Sequence, residues 1–218
     1  MKNKTQQFIN GFTLAEVLIT LVIIGVIAAL TIPNVINNTK KQEYVSALKK
    51  TYSTFQTVTN QIMVEEGTPK GEVGGWCNSV ENMAAMYKKR MQIAKDCGTS
   101  LTCFGNNSGY LGLNGVLTEW TMPANGGYDI ILSDGTIVRF RMVTNGCNGT
   151  QWGSNNSCAN IYIDVNGSKK PNQFGRDLFF FELREDGLHP TGCESNTCAG
   201  TYAYGCSCKV LRENAMNY

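Results

Sequence analysis

The chain has 218 residues and a formal net charge of +2, with 42% hydrophobic and 17% charged residues. This length supports one globular domain and one additional segment, and it excludes two full-sized domains. The near balance of charge excludes a strongly basic protein of the kind that binds nucleic acid through phosphate attraction alone.

The additional segment is a hydrophobic run near the N-terminus. Residues 17–39 contain no charged side chain, and a bilayer core about 30 Å thick needs roughly 20 such residues in a helix. Residues 1–11 form a polar leader with Lys2 and Lys4, which favours a cytoplasmic location for this end. No small-residue cleavage site follows the run, as it would in a secretory signal peptide. The sequence therefore predicts a retained membrane-spanning helix.

The nine cysteines all follow this hydrophobic run. Their density predicts disulfide bonds in an oxidising space outside the cytoplasm. A zinc site is disfavoured, because the chain has a single histidine and its only tight cysteine pair is Cys206 and Cys208. Three close spacings, 97/103, 147/158 and 193/198, would each close a small loop, but the sequence does not determine the pairing. One thiol is left free or pairs between chains. The disulfide candidates are Cys77, Cys97, Cys103, Cys147, Cys158, Cys193, Cys198, Cys206 and Cys208.

The segment GFTLAEVLITLVIIGVIAALTIP, residues 11–33, resembles the start of type IV prepilins and type II secretion pseudopilins. Leader length, Gly11 before Phe12, the position of Glu16, and Gly25 and Pro33 all coincide with the family pattern, over about the first fifty residues. The resemblance implies that a membrane-embedded prepilin peptidase cuts between Gly11 and Phe12 on the cytoplasmic side. It also implies methylation of the new amino group of Phe12.

Glu16 is the one carboxylate in the apolar stretch. At the centre of a bilayer it would cost about 2.5 to 3.5 kcal/mol, and less near a helix end. Cleavage creates an amine on Phe12, which can pair with Glu16 of the same or a neighbouring helix and set the register between subunits. Alternatively, Glu16 lies near the headgroups and reaches water. Gly25 and Pro33 are interpreted as positions for close helix packing and local flexibility in assembly.

The sequence predicts an α+β fold, type IV pilin-like, with a long N-terminal helix packed on a small antiparallel sheet head with disulfide-rich loops. Residues 12–35 form the transmembrane and polymerisation helix, 36–66 its amphipathic continuation, and 67–218 the head outside the cytoplasm. A second helix is expected from Ser79 to Lys95, a tight hairpin turn at Asp134-Gly135, and strands at 160–165 and 178–183. The apolar stripe of the continuation comprises Val45, Leu48, Tyr52, Phe55, Thr59 and Ile62.

One loop of the head offers oxygen ligands for calcium, and some pseudopilins bind calcium in a C-terminal loop. Asp164, Asn166, Ser168 and Asp177 surround Gly167. Hard cations favour such ligands. The loop differs from an EF-hand, because the twelfth position holds glycine rather than glutamate and two lysines lie within it. Aspartate and asparagine are also common turn formers, so calcium is one hypothesis for this loop, and no other cofactor is expected.

Two other functions have little support in the sequence. Removal of Lys2 and Lys4 leaves 17 Lys and Arg against 17 Asp and Glu, which disfavours nucleic acid as a partner, and the basic run 88–90 is interpreted as a solvated helix face. An enzyme is not expected, because the only histidine, His189, stands beside Pro190 and no nucleophile or phosphate-binding motif is present.

The sequence therefore predicts a structural subunit of a type IV pilus or a type II secretion filament, with a DNA-uptake filament equally compatible. Its expected partners are copies of itself or related pilins, the prepilin peptidase, the inner-membrane assembly platform and membrane lipid. The expected location is the bacterial inner membrane, crossed once, and then a filament in the periplasm or at the cell surface. The alternative is an anchored ectodomain that does not polymerise and acts as an adhesin or a ligand-binding module.

Overall fold

A computed structural model describes residues 11–71, 75–100, 102–104, 109–118, 126–151, 154–193, 198–201 and 203–218. The chain divides into two compact units, Met1–Lys40 and Lys41–Tyr218. A long N-terminal helix, an antiparallel sheet and four disulfide bonds confirm the predicted α+β, type IV pilin-like fold class.

Helix α1 spans Leu14–Glu66. It ends where predicted, before Gly67, whose positive φ of 84° is unfavourable for other residues. Within the second unit, one face of α1 is buried, as the apolar stripe predicts. Tyr52 is only half-buried and stacks on Phe181 with ring centroids 5.4 Å apart. The buried residues are Tyr44, Val45, Leu48, Thr51, Phe55, Val58, Thr59 and Ile62.

The head is built on one antiparallel sheet. Its strands are β1 Ile93–Gly98, β2 Gly127–Leu132, β3 Ile137–Met142, β4 Gly149–Gln151, β5 Ser154–Asp164, β6 Leu178–Arg184 and β7 Gly187–Pro190. They follow the order β1-β2-β3-β5-β6-β7, and β4 pairs with β5. The predicted strands at 160–165 and 178–183 correspond to parts of β5 and β6.

Both faces of the central strands are buried. The face with Phe140, Ile161 and Phe181 belongs to the same apolar core as Leu48 and Phe55 of α1. Side chains alternate along a strand, so the intervening residues point to the opposite face. There Tyr162, Leu178 and Phe180 of the strands form a smaller core with residues from outside the sheet, namely Tyr110, Phe174, Ala203 and Cys206.

The second predicted helix is shorter than expected. Helix α2 spans Val80–Lys88, and the Ser79 hydroxyl caps it by accepting the Asn82 N–H. The prediction of helix to Lys95 was wrong, because Ile93–Gly98 pairs with β2. Backbone pairing with a distant strand outweighs the local apolar periodicity on which the prediction rested.

The hairpin between β2 and β3 lies where it was predicted, but its loop is longer than the two residues that Asp134-Gly135 indicated. The Leu132 N–H donates to the Thr136 carbonyl at 2.9 Å, so the loop comprises residues 133–135. Gly135 has φ of 88°, as expected for the last position of a three-residue loop.

Eight of the nine cysteines are paired. Two close spacings form disulfides, Cys97–Cys103 and Cys147–Cys158. The third close spacing, 193 with 198, does not form a bond. Helix α3, Cys206–Glu213, which the sequence did not predict, brings two cysteines of its first turn to this region. The bonds that form are Cys193–Cys208 and Cys198–Cys206.

Cys77 is the free thiol. It is 3% exposed, and its Sγ lies 3.8 Å from Sδ of Met83 and 3.6 Å from Sδ of Met142. Burial raises the pKa of the Cys77 thiol to about 12. A neutral thiol inside the core does not fit the alternative of a bond between chains.

Candidate processing and assembly segment

The predicted cleavage site lies immediately before helix α1. Residues 11–13 have no regular secondary structure, and the Phe12 side chain is 89% exposed. Among the described residues, and apart from Gly11 itself and its chain neighbours, no atom lies within 4 Å of the position that a Cβ of Gly11 would occupy. The Gly11–Phe12 peptide bond is therefore outside the helix and open on the side of Gly11.

The helix begins with a reciprocal hydrogen-bonded cap. The Thr13 N–H and hydroxyl both donate to Oε2 of Glu16, at 2.8 and 2.9 Å. The Glu16 N–H in turn donates to the Thr13 hydroxyl oxygen at 3.2 Å. This is a capping box, which satisfies amide groups that the first helical turn leaves without partners. The two donors also stabilise the carboxylate at the end of an apolar segment, where water is scarce.

The residues after Glu16 form an apolar surface without a protein partner in the described part of the chain. An 18-residue stretch of helix α1 has a mean hydropathy of 2.6, and none of that stretch is buried. Helix α1 is therefore long and apolar enough to cross a membrane. Three threonines interrupt it, and each hydroxyl donates to a carbonyl of the preceding turn, at 2.9 Å for Thr20 and Thr31 and 3.0 Å for Thr39. These bonds satisfy the hydroxyls within the helix, as a hydrocarbon environment requires.

Gly25 and Pro33 both lie within the helix. Outside the adjacent turns of its own helix, a Cβ at Gly25 would meet no described atom within 4 Å, so the position is open to close approach by a neighbouring helix. Helix α1 continues through Pro33, although proline has no N–H to donate to the carbonyl of Ala29. The packing and flexibility roles of these residues stay predictions.

The loop considered for calcium contains two buried carboxylates. Asp177 accepts the backbone N–H groups of Asn172 and Gln173, at 2.8 and 2.5 Å. Asp164 accepts the Asn166 N–H at 3.2 Å. Burial raises the pKa of Asp177, and burial together with the nearby Asp177 charge raises the pKa of Asp164 well above its usual value. Among the described residues, no group of three or more His, Cys, Asp or Glu is placed to hold a metal ion.

The basic run 88–90 includes two side chains that are engaged in ion pairs. Nζ of Lys88 lies 2.7 Å from Oδ2 of Asp96, and Arg90 contacts Glu65. His189 likewise lies 2.8 Å from Asp186. These pairs reduce the positive field of the run and place the histidine beside an exposed carboxylate.

The fold and this segment together define a class. The chain is a single-pass, membrane-anchored protein with a type IV pilin-like α+β fold, in which a capped apolar helix precedes a disulfide-bonded head. Residues 9–32 match the family model described as the prokaryotic N-terminal methylation motif. The chain therefore carries the prepilin-type cleavage and methylation signal, which is typical of structural subunits. No curated protein and no solved structure matches the chain.

Proposed function

We propose that this protein is a pilin or pseudopilin precursor that is cleaved, methylated and assembled into a filament through its N-terminal helix. The observation that carries this proposal is the match of residues 9–32 to the methylation motif, together with the position of the Gly11–Phe12 bond outside helix α1.

Processing would occur at Gly11. Hydrolysis of the Gly11–Phe12 bond by the prepilin peptidase releases the leader and leaves an amine on Phe12. The enzyme then transfers a methyl group from a sulfonium methyl donor to this amine, and the donor leaves as a thioether. Glu16 is the partner for this amine in the same or an adjacent subunit. Thr13 occupies Oε2 of Glu16, and a carboxylate has a second oxygen and further lone pairs with which to accept it.

Assembly would cover the exposed face of the apolar helix. Before assembly, lipid surrounds the side chains of residues 17–36, which are largely exposed. In a filament the helices of other subunits replace the lipid. The head would lie outside the cytoplasm, because its four disulfides are stable in an oxidising compartment.

Mass spectrometry of the protein purified from its native membrane tests the processing step. The expected mass lacks residues 1–11 and includes one additional methyl group on Phe12 and eight oxidised cysteines. A Gly11→Leu variant is the matched control and should keep its leader. Recovery of the wild-type protein with Met1 attached, from cells with an active peptidase, would overturn the proposal.

Replacement of Glu16 separates a filament subunit from an anchored ectodomain. In Glu16→Val, insertion and head folding should persist while filaments are lost, because the carboxylate that would pair with the Phe12 amine of a neighbouring subunit is removed. Filaments are counted by electron microscopy, and membrane insertion is followed by fractionation. Normal filaments in this variant would contradict the assembly role.

We also propose calcium for the loop 164–177, as a secondary feature of the head. Asp164 and Asp177 repel each other there, and the buried amide oxygens of Asn166 and Asn172 have no hydrogen-bond partner. Carboxylate and amide oxygens are ligands that calcium favours, and they would hold the ion here. Calcium should raise the melting temperature of the wild-type head and not that of Asp164→Asn. Equal melting temperatures with calcium or a chelator would exclude the site.

A further inference from the structure

We propose that Thr13 is a positioning residue for leader cleavage, because its cap starts helix α1 at Leu14 and keeps the Gly11–Phe12 bond out of the helix. This inference rests on the proposed cleavage at that bond. Thr13 does not flank the cleaved bond, and it would act before the subunit is assembled.

The first backbone bond of the helix shows where the ladder begins. The Val17 N–H donates to the Thr13 carbonyl at 3.2 Å, so the earliest carbonyl in the ladder is that of Thr13. The Gly11 carbonyl, which a peptidase must attack, precedes this point. If the helix started three residues earlier, the Gly11 carbonyl would accept the Ala15 N–H.

The sequence contains a competing start for the helix. Asn10 stands three residues before Thr13, and asparagine is among the most favourable N-cap residues. Asn10 lies outside the described residues, so its role is argued from sequence alone. With Asn10 as the cap, Gly11 and Phe12 would be the first two helical residues and the scissile bond would lie inside the first turn.

The two starts compete for one donor. An Asn10 cap would accept the N–H of the third helical residue, which is Thr13. In the structure, that same N–H donates to Oε2 of Glu16 at 2.8 Å. The Thr13 hydroxyl adds two hydrogen bonds, at 2.9 and 3.2 Å. The hydroxyl therefore stabilises the start at Leu14, and its removal shifts the balance toward a start at Gly11.

Valine at position 13 tests the role of the hydroxyl, since it keeps the branched shape and loses both hydroxyl bonds. Loss of a threonine cap changes the ratio of the two helix starts about five-fold. We expect Thr13→Val to slow cleavage of the full-length precursor by more than two-fold and by no more than about five-fold at limiting prepilin peptidase, because the cleavable fraction falls by at most the change in that ratio. Thr13→Ser keeps the hydroxyl and should restore cleavage to within two-fold of wild type. Leader loss is timed by mass spectrometry of the membrane-embedded precursor.

A double-mutant cycle that combines Thr13→Val with Asn10→Ala tests whether the two helix starts compete. In the N10A background the alternative cap is removed, so T13V should change the cleavage rate less than two-fold. An equal effect of T13V in both backgrounds, or a T13V rate equal to wild type, would overturn the inference while leaving the proposed function intact. Failure of the peptidase to cut the wild-type precursor would instead overturn the proposed function and this inference with it.

Discussion

The two ends of helix α1 use similar apolar residues for opposite purposes. Leu18, near its start, is 54% exposed, whereas Phe55, near its end, is fully buried in the core of the head. Nothing in the chemistry of a single leucine or phenylalanine distinguishes these fates. The difference lies in the surroundings, because the described part of the first unit leaves its apolar surface exposed and the second buries it against its own sheet.

Replacement of Phe55 or Leu18 by alanine should produce the largest difference between the two regions, measured as the stability of the head. Phe55 packs against Tyr87 and Phe140, with ring centroids 5.4 and 6.3 Å apart. Phe55→Ala should lower the free energy of unfolding of the head by about 3 to 5 kcal/mol. Leu18→Ala should leave it unchanged, since the Leu18 side chain is exposed and belongs to no described core. Denaturant unfolding of the detergent-solubilised protein measures both. An equal loss in the two variants would show that the head depends on the apolar segment.

Disulfide removal should have the next largest effect, and only on the head. Replacement of both Cys147 and Cys158 by alanine should cost about 2 to 4 kcal/mol, because the unfolded chain loses a constraint and the core loses two buried sulfurs. Cys77→Ala, in the same core, is the control without a cross-link and should cost less. Thermal unfolding under oxidising conditions distinguishes them, and equal losses would mean that the bond itself adds nothing.

The smallest expected effect is a pH dependence confined to the head. The folded-state pKa values of Asp164 and Asp177 are raised, so these groups keep their protons longer in the folded state. Their contribution is fully present below the unfolded pKa of about 3.9 and is lost as pH rises through the raised values. Asp164→Asn should therefore reduce the loss of stability between pH 4 and pH 7. Urea titrations at several pH values measure this difference.

Glu65 provides the control of opposite sign. Its hydrogen bond to Arg90 lowers the pKa of this carboxyl, so any stability it contributes is present above the unfolded pKa and is lost as pH falls. Glu65→Gln should flatten the acid side of the profile, with a small amplitude because the pair is exposed. If neither substitution changes the pH profile, neither carboxyl contributes to the pH dependence of stability.

The N-terminal methylation motif was predictable from sequence, since its signals are local. Gly11, Phe12 and Glu16 have a fixed spacing, and an uncharged stretch of this length has few interpretations. The cap was missed, although Thr13-x-x-Glu16 is a recognisable capping box. The hairpin at Asp134 and Gly135 was also found, because turn residues depend on the local backbone.

The rest of the head depended on contacts between distant residues. The predicted end of helix α2 was wrong because strand β1 pairs with strand β2, which lies more than thirty residues later in the chain. Helix α3 was missed because its first turn, with Cys206 and Cys208, has the composition of a disulfide loop. The two bonds of this helix reach back by 15 and 8 residues, and nothing in the local spacing selects these partners over nearer ones.

The contact between Lys41 and Met216 has a consequence for biogenesis. Nζ of Lys41 donates to the Met216 carbonyl at 3.2 Å, across a separation of 175 residues. Residues near the two ends of the second unit thus meet, and the Cys193–Cys208 bond ties helix α3 to the chain that precedes it. Synthesis must pass Cys208 before this cross-link can form, so the bond closes late in the folding of the unit. Oxidation of Cys208 would therefore serve as a marker that helix α3 has reached its place.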